Sequence, residues 1–287
     1  MAEARHPYAG RNAVLATMHG KEEAIAPALL SGIGLRVVPA SGLDTDQLGT
    51  FSGEIARVGA MGEVAVRKAR LGMIAAGLPL GLASEGTFGP HPLIPFLRCG
   101  MEVLVFIDDE RGITVSESLV TEATNHGHFV VAPGEVPESF LGRIGFPSHA
   151  LIIRPNVGEP SPALAKGVVD LGHLVRAIKE AAAASSDGRA MLETDMRAHL
   201  NPTRMKSLAM LAERLAERLA MLCPLCSTPG LGLTGTRAGL RCKECGAATE
   251  MIAVEIFGCV ACHHREERGR HDGLMHAEPV NCPACNP

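Results

Sequence analysis

Apolar runs and helical periodicities alternate along the first two-thirds of the chain. Residues 12–17 (NAVLAT) make a short apolar run of the kind found in a buried strand. The run breaks at Met18-His19-Gly20-Lys21, and a helical pattern follows over 22–30. Residues 35–39 (LRVVP) predict a second strand, 62–76 a helix carrying Arg67, Lys68 and Arg70, and 79–83 (PLGLA) a third strand. Residues 101–107 and 113–115 predict a hairpin around the acidic turn Asp108-Asp109-Glu110-Arg111-Gly112. A strand at 129–131, a short helix at 137–142, a strand at 149–154 and a periodic helix over 166–184 come next. The small residues of 181–187 fade into a linker. The pattern over 191–199 is helix-compatible and stops at Asn201-Pro202. Pro202 suits the first turn of a new helix and Asn201 its N-cap, and leucines at helical spacing carry that helix to residue 222. Strands alternating with helices predict an α/β domain over 1–220, a mixed twisted sheet with flanking helices, followed by a cysteine-rich tail over 221–287.

Composition narrows the classes. A chain of 287 residues with 46% hydrophobic content can bury a sizeable core. Its 27 basic and 31 acidic residues give a net charge of −4, which argues against a generally basic nucleic-acid binder and leaves only a local patch open. Aromatic residues make up 3%, so base-stacking platforms are scarce. The start, MAEARHPYAG, lacks the apolar run of a signal peptide, and no run of 18 apolar residues predicts a membrane span. The expected location is cytoplasmic, with the nine cysteines as thiols. Composition leaves a homo-oligomer open.

Candidate chemistry gathers at a few turns. A strand, a Gly turn with Lys21, then a helix is a place where anions settle, although the full P-loop pattern is missing. Asp44, Asp46 and Glu54, beside Thr45, Thr50 and Ser52, suggest a hard-cation loop. Glu85 follows the third predicted strand, and open α/β sheets place their chemistry at strand ends. The densest polar stretch is LETDMRAHLNPTRM from Leu192 to Met205. On a helical reading Asp195 and His199 share one face and fit a general-base pair, while Arg197 and Arg204 suit a phosphate or carboxylate. A corner between two helices, held by Asp–Arg and capping contacts, is the plainer alternative.

The tail carries four CxxC pairs: Cys223/Cys226, Cys242/Cys245, Cys259/Cys262 and Cys282/Cys285. Four thiolates complete a closed tetrahedral zinc site, so two structural zinc ions are expected. The first block (CPLC, a Gly-rich hairpin over 230–239, RCKECG) has the look of a zinc ribbon. Sequential assignment gives one zinc to each block of two pairs. A crossed arrangement, with pairs one and three sharing an ion, stays open. Cys99 stands alone and fits a core thiol.

Two resemblances follow from these motifs. HGK near the start, GTFSGE, LASEGTFGPHP, TDMRAHLNPTRM and the CPLC, CKECG, GCVAC and CPACNP tail together resemble an uncharacterised bacterial family, a domain of unknown function. Over residues 12–215 the motif order also resembles the inosine/xanthosine triphosphate pyrophosphatase superfamily. That resemblance implies a triphosphate-holding turn at Thr17 to Lys21, an acidic Glu54 before a helix bearing Lys68, a magnesium-binding Glu85-Gly86, and basic residues Arg197 and Arg204 late in the chain. The superfamily's Asp-Asp-Ser-Gly, Ser-His-Arg and Phe-Gly-Tyr-Asp-Pro signatures are absent. Two functions emerge as expectations. One is a magnesium-dependent phosphohydrolase or nucleotide-binding domain, with Lys21, Arg197 and Arg204 on phosphate, Glu54 and Glu85 on Mg²⁺, and Asp195–His199 moving a proton. The other is a non-catalytic zinc module contacting nucleic acid or a protein partner.

Overall fold

The computed structural model describes residues 5–43, 58–157 and 161–287. Strand β1 (Asn12–Leu15) buries Ala13, Val14 and Leu15 completely, as its apolar run requires. It pairs in parallel with β2 (Arg36–Pro39) on one side and β3 (Leu80–Pro90) on the other. Parallel neighbours need crossovers, and these are α1 (Glu22–Ile33), which buries Ile25, Leu29 and Ile33, and α2 (Met61–Ala76), which buries Val64, Ala65, Ala69 and Met73. Strand β4 (Arg98–Asp108) runs antiparallel to β3 over its whole length, and β5 (Ile113–Thr121) completes the order β2-β1-β3-β4-β5.

A second sheet lies in the same compact unit. Strands β6 (His128–Val131), β7 (Leu151–Pro155), β8 (Ala165–Val168) and β9 (Ala190–Thr194) form it in the order β6-β9-β7-β8. All its pairings are antiparallel. Helices α3 (Glu138–Ile144) and α4 (Leu171–Ala183) supply Phe140, Leu141, Leu174 and Ile178 to a core shared with Leu151, Ile153 and Leu192. The α/β domain therefore has two sheets where the pattern predicted one.

Three further expectations are corrected. The helix-compatible stretch 191–199 is a strand followed by a turn and a short 3₁₀ segment, Ala198–Leu200. Residues 190–193 pair on both sides, with β6 and β7, and those ladders outweigh a weak helical pattern. The helix expected from 166 begins at Leu171. Gly167 sits at φ +69°, outside helical space, and Asp170 caps the helix by accepting from His173 N–H at 2.7 Å. The third strand extends to Pro90, so Glu85 lies within it, opposite Val103, rather than after its end.

Helix α5 (Pro202–Ala220) begins as expected, with Asn201 Oδ1 accepting from Arg204 N–H at 3.0 Å. The chain divides into two compact units, Met1–Asp109 with Ser116–Ala216, and Glu110–Val115 with Glu217–Pro287. In the second, β10 (Gly232–Ala238), β11 (Ile252–Gly258) and β12 (Arg265–Gly269) form an antiparallel sheet in chain order. The Gly-rich hairpin expected at 230–239 is thus one strand of this sheet. Among the described residues no helix is long and apolar enough to cross a membrane.

Candidate functional site

The strongest chemical constellation is in the second unit. Cys223, Cys226, Cys259 and Cys262 form one tetrad; Cys242, Cys245, Cys282 and Cys285 form another. Within each, all four sulfurs lie within 4.8 Å of one another. Cys226 Sγ is 3.6 Å from Cys259 Sγ and Cys223 Sγ is 3.7 Å from Cys262 Sγ. In the other tetrad Cys245–Cys282 is 3.6 Å and Cys242–Cys285 is 3.9 Å. A tetrahedron with Zn–S bonds of about 2.3 Å has sulfur–sulfur edges of about 3.8 Å. Both tetrads have the donors and the dimensions zinc requires. The sequential pairing is overturned: pairs one and three share a site, as do pairs two and four. Partner choice follows the antiparallel sheet, which carries the chain away from each CxxC turn before it can close on the next.

Three of the four CxxC turns share one local backbone bond. Ser227 N–H donates to Cys223 O at 2.8 Å, Gly246 N–H to Cys242 O at 3.0 Å and Asn286 N–H to Cys282 O at 2.8 Å. The residue after the second cysteine is left-handed in the first two turns, Ser227 at φ 57° and Gly246 at φ 70°.

In the first unit, charged side chains cluster where β1 ends. Lys21, at the N-cap of α1, is buried, and its Nζ donates to Ser84 Oγ at 2.9 Å and to Ser84 O at 3.1 Å. Burial pushes its pKa down to about 8; the Arg204 charge adds to this, while Glu102 and Glu85 oppose it. Lys68 of α2 pairs with Glu85 of β3, both buried. Arg204 forms a two-pronged pair with Glu102 of β4, at 2.5 Å through Nε and 3.2 Å through Nη2. Gly86 stands opposite Glu102 in the β3–β4 register, and a Cβ there would come within 2.5 Å of Glu102 Oε2. Alternation along β3 sends Ser84 and Gly86 to one face and Glu85 to the other. Glu85 and Lys68 thus lie across the sheet from Glu102 and Arg204, and Lys21 senses all four. A cavity of about 10 Å³, room for one water, lies beside Arg204 between Phe88, Asn125 and Thr203; neither Lys21 nor Glu85 lines it.

Most polar groups of the 192–205 stretch hold the fold. Asp195, fully buried, accepts from Arg197 Nε at 3.0 Å, Arg197 Nη2 at 2.6 Å and Gly167 N–H at 3.2 Å. Asn201 Nδ2 donates to Asn125 Oδ1 at 2.9 Å and to Asp195 O at 3.2 Å. Arg204 Nη1 donates to Met196 O at 2.5 Å. His149 joins them from outside: its Nε2 accepts from Thr203 N–H at 3.2 Å in the first turn of α5. His199 has a different environment. Its ring stacks on His19, centroids 5.0 Å apart, and burial, followed by Arg197, lowers its pKa. With no helix over 191–199, the shared helical face proposed for Asp195 and His199 is not formed.

Of the predicted phosphate and metal residues, Lys21 is within electrostatic reach of Lys68 and Glu85 on one face of the sheet and of Arg204 on the other. Thr17, also buried, lies in the same turn as Lys21, where its Oγ1 accepts from His19 N–H at 3.2 Å. Arg197 is committed to Asp195. Glu54, with the rest of the loop from Asp44, lies outside the described residues. Of the described carboxylates here, Glu85 faces Lys68 and Glu102 faces Arg204. The sequence reading missed Glu102, Ser84 and His19. A carboxylate inside the apolar run MEVLVFI was the one visible signal for Glu102.

Residues 68–287 match the model of a domain of unknown function, DUF6671, and the chain belongs to that family. The match takes in all eight paired cysteines and the 192–205 stretch, and begins after the Thr17–Lys21 turn. No curated protein matches the chain.

Proposed function

We propose that the second unit holds two structural zinc ions and that the first binds a phosphorylated small molecule of the nucleotide class at the β1–α1 turn. The zinc half rests on the tetrad dimensions. Closed four-thiolate sites leave no open coordination position, so these ions organise the chain rather than catalyse.

The ligand half is carried by one observation: among the described residues, buried Lys21 senses the Lys68–Glu85 pair on one face of the sheet and the Arg204–Glu102 pair on the other, while its own Nζ donates to Ser84. A surplus cation in a poorly solvated place is costly. Either Lys21 gives up its proton, as its lowered pKa records, or an anion joins it. The first turn of α1 carries Glu22 and Glu23, and its Glu23 and Ala24 N–H groups already donate to Gly20 O and Lys21 O, so the anion reading leans on Lys21 rather than on the helix end. His199, neutral near pH 7 and stacked on His19, is the group we assign to proton transfer should turnover occur. Hydrolysis with magnesium is the finer form of this reading, and the metal would arrive with the nucleotide. In the second unit Arg237, Lys243, Arg268 and Arg270 each face a carboxylate, so the nucleic-acid alternative has no support there.

Calorimetric titration with inorganic phosphate, pyrophosphate and nucleoside triphosphates, with and without Mg²⁺, tests the proposal. Binding should take up protons at pH 8–9, because an anion beside Lys21 restores its charge. Lys21→Met should weaken binding by about tenfold or more. Equal affinity in the variant, or no heat from any phosphate compound, would sink the ligand half.

A further inference from the structure

We infer that the two cysteine tetrads are obligatorily coupled: the second unit binds its metals as a pair, and the half-loaded form lacks the native sheet. The inference rests on the zinc reading and goes beyond it, from what the sites hold to how they fill.

The argument is topological. The tetrads are interleaved, Cys223/Cys226 with Cys259/Cys262 and Cys242/Cys245 with Cys282/Cys285. Each strand consequently runs from one site to the other. β10 lies between Cys226 of the first tetrad and Cys242 of the second. β11 lies between Cys245 of the second and Cys259 of the first. β12 lies between Cys262 of the first and Cys282 of the second. No strand has both ends at one metal. Sequential pairing would close each block on itself and let either fill alone.

Interleaving also couples the entropies of closure. The first metal closes a loop from Cys223 to Cys262, and that loop contains Cys242 and Cys245. The second closes a loop from Cys242 to Cys285, which contains Cys259 and Cys262. Filling either site therefore draws one ligand pair of the other towards its place, and the second ion meets a shorter effective loop. The sheet reinforces this coupling. β11 is the middle strand, bonded to β10 and β12, so its register is held in common by both sites.

Little else could hold a half-loaded sheet. In β10 only Gly232 is buried, and β12 has no buried residue at all. Its ordering depends on the metals and the ladder. Metal binding to such a unit is folding free energy, and two ligands that fold the same element bind cooperatively.

The test uses full-length protein stripped by chelator, then titrated with zinc in a buffered series and read by native mass spectrometry. Two independent, equal sites would place about half of the chains in the one-zinc state at half saturation; a tenfold coupling holds that state to about a quarter or less. We expect the apo and two-zinc species to dominate. A one-zinc population of about half or more overturns the inference. Cys226→Ser and Cys245→Ser, one in each tetrad, sharpen it. Each should retain well under one zinc per chain and lose exchange protection in all three strands, including those ending at the intact tetrad. Retention of one full zinc with protected strands overturns the coupling. Failure of the unmutated chain to bind any zinc would remove the zinc reading itself, a distinguishable result.

Discussion

The two units solve the same problem with different materials. The α/β unit buries its sheets under helices, with Leu15, Leu82, Leu104 and Phe106 fully enclosed, and it adds charged side chains inside that core. The cysteine unit has almost no core. Its buried apolar set is Ile113, Val115, Leu219, Cys223, Leu231, Leu240, Cys242, Ala277 and Cys282, so four of these nine are cysteine or alanine. Hydrophobic burial, at about 25 cal/mol per Å², can order the first unit; the second needs metal bonds. Order in the α/β unit is spread over many small contacts, whereas in the cysteine unit it is concentrated at two points.

The largest effect should come from chelation. Each structural zinc in small domains contributes on the order of 10 kcal/mol. Stripping it should abolish hydrogen-exchange protection in β10, β11 and β12 while β1, β3 and β4 remain protected. Equal loss in both units would erase the contrast drawn above. Next comes the buried pair of the first unit. Arg204→Met should cost about 3–5 kcal/mol in denaturant unfolding, because it strands Glu102 without its partner. Arg204→Met combined with Glu102→Leu should recover part of that loss; no recovery would mean Arg204 acts mainly through its bond to Met196 O. A smaller effect concerns pH. The folded-state pKa of Lys21, about 8, lies below its ordinary value of 10.5. Between those values the unfolded chain carries the proton and the folded chain does not. Stability should therefore rise with pH across that window, by on the order of 3 kcal/mol, and fall as pH drops through 8. Lys21→Met should flatten this dependence; an unchanged slope would reassign it. Asn201→Ala should cost about 1–3 kcal/mol, because it removes the α5 cap and the bonds to Asn125 Oδ1 and Asp195 O, read as a shift in the unfolding midpoint.

Sequence legibility also differs between the units. The CxxC pairs were plain because each pair is a local turn, but their partners were not, since sheet order decides which turns meet. In the first unit β1, the β4–β5 hairpin and the start of α5 were legible from apolar runs and from Asn201-Pro202. The strand Ala190–Thr194 was not. AMLET tolerates either period, and only pairing with β6 and β7 selects the extended form. Lys21 and Glu85 could be named from their turns and motifs. Glu102 could not, because its meaning depends on Gly86 opposite and Arg204 about a hundred positions away.

That vacancy at Gly86 carries a consequence for how this lineage can drift. A methyl group there would evict the Glu102 carboxylate, and eviction would orphan the Arg204 guanidinium. The three positions should accordingly be inherited as a block, with glycine, acid and arginine exchanged together or not at all.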